Sequence, residues 1–108
     1  FDILNYLIDS ITDVKETAGV VTEFYLEQNY PNPFNPVTTI KYQIPKRSFV
    51  TLKVYDVLGS IIETIVNEEQ SQGVYEIEFD GNKLSSGVYL YKLETDSYSE
   101  TRKMLLIK

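Results

Sequence analysis

The chain is predicted to be all-β, an antiparallel β-sandwich of about seven strands behind a short N-terminal arm. Three observations lead there. From residue 20 onward apolar side chains recur with a period of two, the mark of strands with one buried face. Turn-forming clusters interrupt that alternation at residues 45–48, 56–59, 80–82 and 95–97. Nine tyrosines, five phenylalanines and many valines, isoleucines and threonines suit a pleated, half-buried surface. A chain of 108 residues supports one core and not two. Residues 20–108 are therefore read as one domain, and residues 1–19 as an arm or linker.

The arm is ambiguous in type. Phe1, Leu4, Leu7, Ile8, Ile11 and Val14 fall at helical spacing and form one apolar stripe, while Ile3, Asn5 and Tyr6 spoil the opposite face. Residues 12–19 have the composition of a linker. The stripe suits either a remnant of an upstream domain or an arm that packs on another copy of the protein.

The first strand covers residues 23–28, with Phe24 and Leu26 on one face and Tyr25 and Glu27 on the other. The second runs through Ile40, Tyr42 and Ile44, and the third, the clearest, through Val50, Leu52 and Val54. Asp56 and Gly59 take the first and last places of a type I turn, and residues 60–66 return as the fourth strand. Residues 67–73 read as a polar loop. The fifth strand sets Tyr75, Ile77 and Phe79 against Val74, Glu76 and Glu78. Residues 84–89 lead into the sixth strand, and residues 98–108 form the seventh. Leu84-x-x-Gly87-x-Tyr89 resembles the tyrosine corner of immunoglobulin-like sandwiches, in which a tyrosine hydroxyl bonds back to the preceding loop. Disulfide-bearing members carry a cysteine two residues further on; this chain has Tyr91 there, an aromatic that fills the same inter-sheet volume. The fold is accordingly read as an immunoglobulin-like sandwich without its disulfide.

Between the first two strands, Pro31, Asn32, Pro33, Phe34, Asn35 and Pro36 break the pattern. Each proline fixes φ at about −65° and removes a backbone donor. Tyr30, Asn32 and Asn35 precede prolines and are pushed away from the α region. The run is expected to be stiff and extended, and to avoid the middle of a sheet. Phe34 is its one large apolar side chain and the natural anchor into a core. The run either blunts a sheet edge or serves as a recognition handle.

Chemistry is sparse. The chain has no cysteine and no histidine, which removes disulfides, the usual general base and the commonest transition-metal ligand. The serines therefore have no histidine to activate them. Glu76, Glu78 and Asp80 form a row on one strand face without the spacing of a dedicated calcium loop, and read as a solvated face. Glycines 59, 73, 81 and 87 stand singly at turns rather than in a phosphate-cradling loop. No catalytic, metal or cofactor site is assigned, and an enzyme is the weakest reading. The net charge of −6 argues against nucleic acid and anionic membrane as partners. It is unevenly placed: residues 1–30 hold six acids against one lysine, and residues 31–108 hold ten acids against nine bases. No apolar run approaches the roughly 18–20 residues needed to span a bilayer. The chain begins with Phe and shows no signal pattern, so it reads as a processed product or a fragment of something longer.

Tyr30-Pro31-Asn32-Pro33-Phe34-Asn35-Pro36-x-Thr38, Val54-Tyr55-Asp56-x-x-Gly59, Gly73-x-Tyr75, Leu84-x-x-Gly87-x-Tyr89 and residues 103–108 occur in this order. Together they closely resemble the type A C-terminal sorting domain of the bacterial type IX secretion system, from about residue 24 onward. The resemblance implies a non-catalytic immunoglobulin-like domain at the end of secreted cargo, read by an outer-membrane translocon. A sortase-like peptidase then often removes it, and the cargo is attached to surface lipopolysaccharide. The implied location is the outer surface of a Gram-negative-type bacterium or the extracellular space. The signature positions are Pro31, Asn32, Pro33, Phe34, Asn35, Pro36, Gly59, Gly87, Tyr89 and the stretch from Lys103 to Lys108. Family cleavage would fall in the linker around residues 12–21. Typical cargo carries a large passenger, whereas only some twenty residues precede the domain here. A second expectation makes the domain a retained subunit of an extracellular fibre, with Phe1, Leu4, Leu7, Ile8, Ile11 and Val14 packing on a neighbouring copy. A carbohydrate- or calcium-binding sandwich is a distant third, for want of any clustered aromatic platform.

Overall fold

The computed structural model describes residues 21–108, which fold as seven strands in two antiparallel sheets. The strands are β1 (Tyr25–Leu26), β2 (Val37–Ile44), β3 (Ser48–Tyr55), β4 (Ile61–Gln70), β5 (Gly73–Asp80), β6 (Gly87–Glu94) and β7 (Ser99–Leu106). One sheet has the order β1-β2-β5 and the other β4-β3-β6-β7. The pairing of the second strand with the fifth, of the third with the sixth and of the sixth with the seventh is that of immunoglobulin-like sandwiches. β4 joins the edge beside β3 rather than beside β5, so three strands face four.

Alternation of side chains builds the core as expected for half-buried strands. Ile40, Tyr42 and Ile44 point inward from β2, Val50, Leu52 and Val54 from β3, and Tyr89, Tyr91 and Leu93 from β6. Each such burial contributes about 1.5–3 kcal/mol. The two inner tyrosines carry hydroxyls that need partners in a dry interior. Tyr42 donates to Gln70 Oε1 at 2.6 Å, and Tyr91 donates to the Glu27 carbonyl at 2.6 Å. Tyr91 thus fills the inter-sheet volume and also fastens the chain just after β1.

Three features differ from the sequence reading. Residues 67–70 belong to β4 and are not loop, because an edge strand tolerates polar side chains on both faces, and buried Gln70 is held by Tyr42. Only Ser71 and Gln72 separate β4 from β5. The first strand shrinks to Tyr25–Leu26: after the Glu27 amide bonds to the Lys41 carbonyl at 2.9 Å, Tyr91 draws the chain off β2. The proline-rich run also bends and is not uniformly extended; its Xaa–Pro bonds at Pro31, Pro33 and Pro36 are cis.

The β3–β4 connection is the turn foreseen around Asp56. The Gly59 amide bonds to the Asp56 carbonyl at 3.0 Å, and the Asp56 side chain accepts from the Leu58 and Ser60 amides. Gly59 has φ +90°, where a side chain is strained. At the other turn singled out, the Tyr89 hydroxyl donates to the Ser85 carbonyl at 2.7 Å, completing the tyrosine corner.

Burial pushes the Tyr42 and Tyr91 hydroxyls up to about 12, against a partial pull downward from their hydrogen bonds. An unfolded tyrosine titrates near 10, so below about pH 10 both states stay protonated and full stability is present. As pH rises from about 10 to 12 only the unfolded state releases these protons, and stability falls by up to about 1.4 kcal/mol per pH unit for each tyrosine. Urea midpoints should stay level to about pH 10 and then decline, with Tyr42→Phe making the decline shallower. A midpoint unchanged to about pH 12 would contradict the assignment.

Candidate recognition surface

The run from Asn29 to Pro36 passes from one sheet to the other, and its polar groups are placed by what the prolines cannot supply. The Asn29 amide donates to the Tyr91 hydroxyl at 2.7 Å, and the Asn29 side-chain nitrogen donates to Thr38 Oγ1 at 2.9 Å and to the Pro31 carbonyl at 3.1 Å. Thr38 Oγ1 donates in turn to the Pro31 carbonyl at 2.9 Å. Tyr30 exchanges both main-chain bonds with Thr39, at 3.0 and 2.9 Å. These contacts hold the start of the run on β2.

The run then crosses to β7. Asn32 Oδ1 accepts from the Leu105 amide at 2.9 Å. Phe34 donates its amide to the Leu105 carbonyl at 2.9 Å and accepts from the Ile107 amide at 3.0 Å, a parallel bridge around Leu106. The Phe34 ring is buried and meets Phe79 edge-on with centroids 6.2 Å apart. Gly81 lies beneath it: an added Cβ would come within 3.3 Å of the Phe34 ring and 3.2 Å of Leu106. The Gly81 amide bonds to the Pro36 carbonyl at 2.7 Å.

The last residues close over the same loop. Lys108 Nζ donates to the Asn82 and Leu84 carbonyls at 2.6 and 2.8 Å, and its amide donates to Ser86 Oγ at 2.9 Å. Further along β7, the Lys103 carbonyl accepts from Gln28 Nε2 at 2.6 Å, and Arg102 Nε donates to the Leu26 carbonyl at 2.7 Å while its guanidinium lies over the Tyr25 ring.

The structure therefore brings Phe34, Pro36 and Lys108 against the 81–86 loop, with Tyr89 anchoring that loop, while Asn32 is held on β7 and Pro31 on Asn29 and Thr38. Gly87 opens β6 and pairs with Leu106. Gly59 serves its own turn, and the Lys103 side chain is exposed. Phe1, Leu4, Leu7, Ile8, Ile11 and Val14 lie outside the described residues. Sequence reasoning included Asn29 and Thr38 in the proline-rich stretch without giving either a role, and it missed Gly81 and Gln28 as members of this surface. A polar residue beside a donor-poor proline run is the signal that pointed to the first two. Among the described residues, no three acidic side chains converge as metal ligands would; Glu76, Glu78 and Asp80 stand in file along β5.

Residues 28–108 match the family of secretion system C-terminal sorting domains. The chain belongs to that family. Membership makes this a type IX sorting-signal domain of a secreted protein bound for the cell surface or beyond, from a family that is not catalytic. In fold it is similar to part of PorZ, a bacterial surface component of the type IX secretion system of Porphyromonas gingivalis, with a TM-score of 0.51 and 22% identity. The match covers 88% of this chain and 12% of PorZ. No curated protein matches the chain.

Phe34 and Leu106 line one volume on either side of the crossing. Phe34→Ala and Leu106→Ala should each cost about 3 kcal/mol by urea denaturation, and the double variant about 1 kcal/mol less than their sum. Full additivity would show that the proline run and the last strand are separate units.

Proposed function

We propose that the sorting signal is a folded surface rather than a linear peptide, composed of residues 31–36 and 103–108 joined over the 81–86 loop. The observation that carries this is the Phe34 crossing, in which the proline run pairs with the main chain on both sides of Leu106. Buried Phe34 holds the run in place, and Pro31, Asn32, Pro33 and Asn35 remain exposed beside exposed Ile107 and Lys108. A rigid surface pays little ordering entropy on binding, which suits a receptor that must take many different passengers by one domain.

On this reading the secretion translocon docks on the composite surface, and a sortase-like peptidase acts upstream, around residues 12–21. The domain itself supplies no chemistry, and its part is shape and main-chain presentation. The mature passenger would reach the outer surface of a Gram-negative-type cell or the medium.

A passenger fused ahead of this chain should be exported by cells with a type IX system, and removal of residues 103–108 should leave it in the periplasm. Because that deletion also takes Leu106 from the core, Ile107→Asp and Asn35→Asp provide the second arm. Both sites are exposed, so both variants should keep the parent's unfolding midpoint while export of the fusion falls at least tenfold. Normal export of the truncated fusion would sink the proposal.

A further inference from the structure

Strand alternation gives this sandwich two outward faces of opposite character. On the four-stranded sheet, Tyr55, Ile61, Val88 and Leu90 point outward, with Lys53, Lys92 and Lys103 beside them. Ile61 and Val88 are exposed, and Leu90 pairs with Lys103 across β6 and β7. Lys53 lies directly opposite Lys92, and like charges so placed repel. Lys92 reaches Glu94 at 3.7 Å, while Lys53 and Lys103 have no ion pair among the described residues.

The three-stranded sheet is the reverse. Glu76, Glu78 and Asp80 project from β5 at every second residue, about 7 Å apart. Lys41 answers Glu76 at 3.5 Å, and the neighbours of Glu78 and Asp80 on β2 are Thr39 and Val37, which carry no charge. Tyr30, Val37 and Val74 are exposed on this same side. The acidic file is thus a solvated face in the single chain, with apolar groups at its margins.

We propose that the four-stranded face of one copy seats on the three-stranded face of the next, with Lys53, Lys92 and Lys103 against Glu76, Glu78 and Asp80. The occupant is a second copy because the chain carries both halves of the match: a lysine-and-apolar face and an acid-and-apolar face. The two halves sit on opposite sides of the sandwich, so the contact is heterologous and does not close, and repetition builds an open stack. A face four strands wide and eight residues long presents about 500 Å², less than the roughly 800 Å² per partner of a standard interface. The association is therefore weak for one contact and strongly dependent on salt. It uses none of residues 31–36 or 81–86, shares only Lys103 with the proposed sorting surface, and is tested below at residues outside that surface.

Sedimentation equilibrium of the full chain tests this. At low salt the weight-average mass should rise with concentration into the millimolar range, and should return to the monomer at about 0.5 M salt, where the Debye length is only about 4 Å. Lys53→Glu/Lys92→Glu and Glu76→Lys/Glu78→Lys should each weaken association at least tenfold while remaining folded, the second with a slightly lower unfolding midpoint because it replaces the Lys41–Glu76 pair with like charges. Mixing the two reversed proteins should restore it, since every contact then again joins opposite charges. A monomeric parent at millimolar concentration and low salt overturns the proposal. So does association that survives both reversals, because it would belong to another surface.

Discussion

The free edge of β7 is the constraint on which the rest of this structure depends. A last strand at a sheet margin exposes amides and carbonyls that can template further pairing. Here the edge is met by a run that offers only what is required: the Asn32 side chain for one amide, and the main chain of Phe34 for one carbonyl and one amide. Pro33 lies between them without a donor, so the covering run does not itself become a new edge. The opposite margins, β4 and β5, are left uncovered. They are defended differently, by Glu63, Glu68 and Glu69 on one and Glu76 and Glu78 on the other, all exposed.

Local physics made much of this legible. The period of two located β2, β3, β5 and β6 because each has one wet face and one dry one. The Asp56–Gly59 turn and the tyrosine corner were readable because both close within a few residues, and Phe34 was identified as an anchor by being alone among prolines. β4 was cut short because an edge strand need not alternate, so Asn67, Glu68 and Glu69 looked like loop. The joining of residues 32–34 to residues 105–107 left no mark at either place, since main-chain pairing is indifferent to side-chain type. Asn29 was passed over for a related reason: its partners, Tyr91 and Thr38, come from different sheets.

Total charge also leaves the distribution of charge unread. A net charge of −6 comes mostly from residues 1–30, and the near balance of residues 31–108 conceals that the lysines of β3, β6 and β7 lie on one side and the acids of β5 on the other. Partner arguments drawn from total charge apply to long range, where the molecule acts as a point. Within a Debye length of about 8 Å each face acts separately.

The bracket around Leu106 also has a temporal meaning. Residues 31–36 leave the ribosome long before residues 105–107, and until those arrive Asn32 and Phe34 have nothing to pair with. A chain broken off before them carries every residue of the proline motif yet cannot assemble the surface to which that motif contributes. On the proposed reading, the address becomes legible only once residues 105–107 have joined the fold.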